Sequence, residues 1–183
     1  MFIILFGPPG IGKGTQSEKI SNEFNIPKIS TGDILRQAIE SGTRLGLSAK
    51  KLMDSGDLVP DEIVLRIVEH RAAEDDCKNG FILDGFPRTI PQAEGLSAFM
   101  ESNNLPNFKC IEIQVPDEVI IERLLLRGRN DDTEETIRKR LDIYKKDTAP
   151  VKNYYMKINN FYKVNGNATI DEVYKDIITI ITS

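Results

Sequence analysis

The sequence has few of the residues on which metal-centred or nucleophilic chemistry is usually built. Cysteine occurs twice in 183 residues, at Cys77 and Cys110. The two are far apart and outside any Cys-x-x-Cys or Cys/His cluster, so neither a disulfide framework nor a zinc site is supported, and a reduced cytoplasmic compartment is expected. Histidine occurs once, at His70; no Ser/His/Asp or Cys/His set can be assembled around it, and it reads as a surface helix residue. Basic residues are not in excess. Lys and Arg number 24 against 28 Asp and Glu, a formal net charge of −4, which argues against nucleic acid as a partner because a general nucleic-acid binder leaves a basic footprint. Any anion site must therefore be built locally. No apolar run approaches the ~18 residues of a membrane span, and the short N-terminal run Phe2 to Phe6 lacks the basic leader and cleavage site of a signal peptide. Internal repeats and low-complexity segments are missing too. A single domain, 1–183, with a full core is expected, and it is expected to be a monomer, since nothing in the sequence demands a partner chain.

What is present begins at the N-terminus. Phe2 to Phe6 is an unbroken β-branched and aromatic run, as expected of a central parallel strand buried on both faces. It leads into Gly7-Pro-Pro-Gly-Ile-Gly-Lys-Gly-Thr15, where glycines let the backbone turn tightly and bring its N–H groups close to an anion. Lys13 supplies a mobile point charge, and the helix starting there points its positive dipole end at the same place. The spacing Gly7-x4-Gly12-Lys13 fits a phosphate-binding P-loop with one departure: Gly14 follows the lysine, and the hydroxyl comes one place later, at Thr15. A Ser or Thr directly after the lysine usually ligates Mg²⁺, so here the ion is expected to be held through phosphates and water.

Further strands are expected at Pro27 to Ser30, Phe81 to Asp84, Lys109 to Val115 and Phe161 to Val164. Helices are expected at Gly14 to Phe24, after the capping run Ser30-Thr31-Gly32-Asp33, at Leu47 to Ser55, Pro60 to about Ala73, Pro91 to about Ser102, Asp117 to Leu126 and Ile170 to Ile181. Asp132-Thr-Glu-Glu135 resembles a capping box opening a long helix with Ile137, Leu141 and Tyr144 on its apolar stripe. Alternation of this kind implies an α/β fold, a five-stranded parallel sheet with helices on both faces, and ligands at the carboxyl ends of the strands.

Asp84 ends an apolar strand, the place where P-loop enzymes put the carboxylate for Mg²⁺ or its waters, although a turn Asp before Gly85 is the plainer alternative. Asp33 could assist, or simply favour a helix first turn. Arginines flank the proposed ligand loops at Arg36, Arg88, Arg123, Arg127, Arg129, Arg138 and Arg140. Arg138 is assigned to an ion-pair network with Asp131, Asp132, Glu134 and Glu135. Most of the others are expected to be phosphate ligands, without counterions until phosphates arrive, because a planar bidentate cation suits a transferring phosphoryl group. A phosphate acceptor needs no strong base, being largely dianionic near neutral pH.

Four blocks then stand in order: Gly7-Pro-Pro-Gly-Ile-Gly-Lys-Gly-Thr-Gln16, Ser30-Thr-Gly-Asp33, Asp84-Gly-Phe-Pro-Arg-Thr89 with Gln92, and Arg127-Gly-Arg-Asn-Asp-Asp-Thr133. Together they resemble the adenylate kinase family of nucleoside monophosphate kinases, from end to end of the chain. The resemblance implies a P-loop kinase fold with a small helical insertion for the monophosphate, 30–59, and a lid, 127–132, of the short form without zinc. It implies transfer of a phosphoryl group from ATP to AMP, giving two ADP, with Mg²⁺ bound alongside ATP. Gly10, Ile11, Gly12, Lys13, Gly14, Thr15, Arg123, Arg127 and Ala168 are then implied at ATP. Thr31, Arg36, Asp57, Leu58, Val59, Gly85, Phe86, Pro87, Arg88, Gln92, Arg129 and Arg140 are implied at AMP. Lys13, Arg88, Arg123, Arg129 and Arg140 are implied in catalysis, and Asp33 and Asp84 at Mg²⁺ through water. Pyrimidine kinases of the same scaffold typically carry Ala in place of Thr31 and lack the Thr-x-x-Gln spacing. Thr31, Thr89 and Gln92 therefore favour AMP over UMP or CMP, an amide being able to pair with an acceptor and a donor on one adenine edge. A non-catalytic nucleotide switch is the other alternative, disfavoured because no Asn-Lys-x-Asp guanine signature occurs.

Overall fold

A computed structural model describes residues 1–129, 132–157 and 160–183. Asn130 and Asp131, within the expected lid, lie outside the described residues, and so does the expected part of Asp131 in an ion-pair network. The five strands are β1 (Phe2–Phe6), β2 (Lys28–Ser30), β3 (Phe81–Asp84), β4 (Lys109–Gln114) and β5 (Phe161–Asn165), all parallel in the order β2-β3-β1-β4-β5. β1 is central, and every one of its residues is buried. Its side chains alternate between two apolar layers, as strand geometry requires. Phe2, Ile4 and Phe6 pack with Phe81, Leu83, Val68, Leu96 and Tyr155 on one face; Ile3 and Leu5 pack with Ile20, Ile82, Ile111, Ile120 and Ile177 on the other.

The covering helices are α1 (Lys13–Phe24), α4 (Asp61–Ala72), α5 (Ile90–Ser102), α6 (Asp117–Arg127), α7 (Glu134–Ile143), α8 (Val151–Met156) and α9 (Ile170–Thr182). From β1 the chain goes to one side for β2 and β3, then to the other for β4 and β5. The carboxyl end of β1 is thus a switch point, where such sheets leave a crevice. Two further helices, α2 (Thr31–Glu40) and α3 (Arg44–Asp54), form a helical hairpin between β2 and α4. They approach so closely at Gly46 that a Cβ there would lie 2.1 Å from the Ala38 carbonyl oxygen.

Three local expectations need correction. α3 starts at Arg44, not Leu47, because the Thr43 hydroxyl accepts from Gly46 N–H at 3.1 Å and caps it earlier. The capping box of α7 joins Thr133 to Thr136, one residue on from the expected Asp132 to Glu135 pair, with Thr133 N–H donating to the Thr136 hydroxyl at 3.1 Å. Asp132 is drawn away to arginines instead. The long helix is also interrupted: α7 passes into a π-helical turn, Tyr144–Thr148, before α8 begins after Pro150. Tyr144, the first residue of that turn, lines the crevice rather than joining the layer of Ile137 and Leu141.

Candidate active site

The glycine loop leaves β1 at the switch point and returns as α1. Gly10 has φ +84°, and a Cβ on it would stand 2.5 Å from Cγ of Leu124, so the close seat of the loop on α6 admits no side chain. Lys13, the first residue of α1, folds its ammonium back onto the loop, donating to the carbonyl oxygens of Gly7 and Pro8 at 2.8 Å each. Burial lowers its pKa to about 8, with Arg88 and Arg127 acting in the same direction and Asp84 opposing them. Asp84 stands beside the loop because β3 pairs with β1 in the register Leu5 to Asp84. Its carboxylate is 3.7 Å from where a Gly14 Cβ would be. Among the described residues, no group of three or more His, Cys, Asp or Glu could hold a metal ion. A metal here needs ligands that a phosphate or water supplies, which is what one carboxylate beside a phosphate cradle suits.

A single cavity of about 520 Å³ runs from this cradle to the α2–α3 hairpin. Its near end is lined by Gly10, Gly12, Lys13, Gly14, Thr15 and Asp84, its far end by Thr31, Asp33, Arg36, Asp57, Leu58 and Val59. The turn Gly85-Phe86-Pro87-Arg88 and Gln92 form the floor between them, and Arg123, Arg127, Arg129 and Arg140 close the side. Two of the sequence-expected residues do not line it. The side chain of Ile11 is buried in the core and Ala168 packs against the layer of Val164 and Val173. Arg123 nevertheless reaches the loop before Ala168, with both terminal nitrogens 3.4 Å from the Gly166 carbonyl oxygen.

The far end is held by local bonds. Thr31 Oγ1 donates to the Gly85 carbonyl at 3.2 Å and Arg88 Nε to the same oxygen at 2.7 Å. Arg88 is half-buried; the loss of water, then Arg140 and Arg36, lower its pKa against the pull of Asp84. The Gln92 amide is buried, its Oε1 accepting from Arg88 N–H and its Nε2 donating to Asp61 Oδ1, both at 2.7 Å. Asp57 takes Lys139 at 2.7 Å and Ser55 at 2.9 Å, tying the base of the hairpin to α7.

The arginines differ from expectation in one respect: several already have carboxylates. Asp33 accepts from Arg36 at 2.5 Å and has Lys28 at 3.5 Å; these cations hold its carboxyl below the usual range against the effect of its partial burial. Asp132 receives Arg127 in a fork, at 2.7 and 2.8 Å, and Arg140 at 3.3 Å. Arg140 also donates to the Met53 carbonyl at 3.2 Å. Arg138 pairs with Glu134 at 2.8 Å, as the sequence suggests. His70 is exposed in the last turn of α4. Sequence reasoning missed Tyr144, Thr148 and Asp61. The first two belong to the π-helical turn, which has no sequence signal of its own, and Asp61 reads as an ordinary first-turn acid.

The arrangement thus places a glycine loop with its lysine at one end of a cavity and arginines along the rest of it, and among the described residues lining it no side-chain nucleophile is paired with a base. Comparison with known proteins agrees with this architecture. The family description that matches is adenylate kinase, over residues 5–160. The chain is similar to the adenylate kinase of Mycobacteroides abscessus, 49% identical with 95% of each chain covered, and to that of Leptospira biflexa, 47% identical with 96% of this chain and 97% of the relative covered. It is also similar to that of Methanosarcina barkeri, 43% identical with 99% of this chain and 98% of the relative covered. That alignment runs over 211 positions against 183 residues here, so the archaeal protein has segments this chain lacks. With the family description matching most of the chain and relatives matching nearly all of it, the chain belongs to the adenylate kinase family.

Proposed function

We propose that the protein catalyses ATP + AMP ⇌ 2 ADP, by direct in-line transfer between phosphates. The observation that carries this is the continuous cavity with a glycine-loop cradle at one end, an arginine-lined pocket at the other and, among the described residues, no paired nucleophile and base between. Backbone N–H groups of Gly10 to Thr15 hold the ATP phosphates, and Lys13 swings from its loop carbonyls onto them. Arg123 and Arg127 hold ATP from the α6 side. Arg36 and Arg88 hold the AMP phosphate, Thr31 and Gln92 face its base, and the backbone of Asp57 to Val59 closes over it. Arg88, Arg123, Arg129 and Arg140 stabilise charge on the group in flight. Such a site works by positioning and electrostatics rather than covalent chemistry.

Mg²⁺, when bound, would neutralise charge on the ATP phosphates. Asp84 is the residue we assign to its waters, because the carboxylate of Asp33, the other candidate, serves Arg36 and Lys28. Among the described residues no helix is long and apolar enough to cross a membrane. A cytoplasmic monomer maintaining adenine nucleotide balance is the setting we infer.

ADP disproportionation by the purified chain tests the reaction: ATP and AMP should appear in equal amounts. A bisubstrate ligand of two adenosines joined by five phosphates should bind one to one. Absence of turnover with retained nucleotide binding would instead favour a switch. A set of monophosphate acceptors separates AMP from CMP and UMP.

Lys13 adds a pH prediction. In the free enzyme its ammonium, with pKa about 8, gives up its proton as pH rises through that value, so kcat/KM for ATP should fall above about pH 8. Bound phosphates favour the ammonium, which moves the corresponding limb of kcat to higher pH. Separate profiles of kcat and kcat/KM between about pH 6 and 10 check this. A flat kcat/KM across that range would show that the free lysine keeps its proton.

A further inference from the structure

We propose that Asp61 makes the acceptor end of the cavity selective for a 6-aminopurine over a 6-oxopurine, as a positioning residue that acts through Gln92 and touches no substrate. The inference rests on the reading of Gln92 as the base-facing group. A carboxamide is nearly symmetric in shape, so a half turn exchanges its donor and acceptor at almost no steric cost. The two purine classes present the corresponding opposites. A 6-aminopurine offers a donor at C6 and an acceptor at N1; a 6-oxopurine offers an acceptor at C6 and a donor at N1. An amide free to turn would therefore serve either base.

Gln92 is not free to turn. Its Nε2 donates to Asp61 Oδ1 at 2.7 Å, and its Oε1 accepts from the backbone N–H of Arg88 at 2.7 Å. An ionised carboxylate can only accept and a backbone N–H can only donate. A half turn would put oxygen against oxygen and N–H against N–H in a buried place, losing both bonds, and unpaired polar groups are costly there. In the orientation held, Oε1 keeps one lone pair and Nε2 one hydrogen, an acceptor and a donor side by side. That is the complement of a 6-aminopurine edge and a mismatch for a 6-oxopurine.

Asp61 is itself fixed from two directions. It lies in the first turn of α4, where the helix dipole favours a negative charge. The same Oδ1 also accepts from Thr89 Oγ1 at 3.0 Å, and Thr89 caps α5 by accepting from Gln92 N–H at 3.3 Å. A purely structural tie between α4 and α5 would use the same bonds, but its loss would lower stability and act alike on all acceptors. It would not change which purine is preferred.

The test is kcat/KM for AMP and for IMP, which differ only in this edge, in wild type, Asp61→Ala, Asp61→Asn and Gln92→Leu. Asp61→Ala should lower the AMP:IMP ratio roughly tenfold, the Arg88 N–H still giving some bias, with KM for ATP unchanged. Asp61→Asn keeps the shape and an oxygen for Nε2 and Thr89, so it guards against a folding defect. Its amide can turn, and its ratio should lie between the other two. In a Gln92→Leu background, Asp61→Asn should leave the ratio as it finds it. If Gln92→Leu loses the preference while both Asp61 variants keep the wild-type ratio, Asp61 is a structural tie and the proposal fails. If Gln92→Leu itself keeps the preference, the reading of Gln92 fails, and this inference with it.

Discussion

Lys13→Met should lower kcat by at least about a hundredfold, the usual cost of losing one stabiliser of transition-state charge, and leave thermal stability close to that of the wild type. The backbone N–H groups of the loop remain, so nucleotide should still bind, more weakly. The stability expectation comes from opposing costs. Holding the ammonium with its pKa lowered to about 8 rather than at the ordinary lysine value costs the folded state about 3 kcal/mol at neutral pH. The sign follows from proton counts: between about pH 8 and the unfolded value the unfolded chain binds more protons, so this penalty fades as pH rises. Methionine removes the penalty but leaves the Gly7 and Pro8 carbonyls without their donor, a loss of about 1 kcal/mol each because both residues are only half-buried. The two effects oppose each other. Turnover and the unfolding midpoint, measured on the same preparation, check both halves. Near-normal turnover would mean that the loop lysine does not act on the transferring phosphoryl group.

How far the sequence carries depends on how local the responsible interaction is. β1 and β3 were legible because strands buried on both faces are continuous apolar runs, and Gly7 to Thr15 because a loop that cradles phosphate needs its glycines and lysine at fixed spacing. The cap of α2, Ser30, is equally local, whereas Thr89 caps α5 by the same kind of bond and is not among the caps expected from the sequence. The Asp33 to Arg36 ion pair has a helical i,i+3 spacing and could have been read. Asp132 could not: its choice of Arg127 and Arg140 over the α7 cap depends on how α6 and α7 meet. The π-helical turn that contains Tyr144 and Thr148 of the cavity wall matches no local pattern in the sequence. Asp61 and Gln92 are farther apart still, joined only because α4 and α5 pack together on one face of the sheet.

Arg88→Lys should cost about 10²- to 10³-fold in kcat although it conserves the charge, and Arg88→Met should cost no less. The reason lies in the fork. Arg88 Nε is tied to the Gly85 carbonyl at 2.7 Å, which fixes the guanidinium plane on the cavity floor between the cradle and the anion pocket and leaves its terminal nitrogens for phosphate oxygens. A lysine ammonium is a point charge on a flexible stem and cannot hold that plane or bond two oxygens in parallel. The stability of the ligand-free protein should respond in the opposite way. Burial lowers the pKa of Arg88, and Arg140 and Arg36 add like-charge repulsion that Asp84 only partly offsets. Replacing it by uncharged methionine removes both costs, so Arg88→Met should unfold at or above the wild-type midpoint while being the less active protein. Stability and activity are then set against each other at one residue, as expected where a site holds cations ready for an anion that has yet to arrive. Kinetics and thermal unfolding of the two variants without ligand, and again with the bisubstrate ligand, give the check. The ligand should raise the midpoint of the wild type far more than that of either variant. A lysine variant with wild-type turnover would show that charge alone suffices at this position, and the fork would then have no part in the transfer.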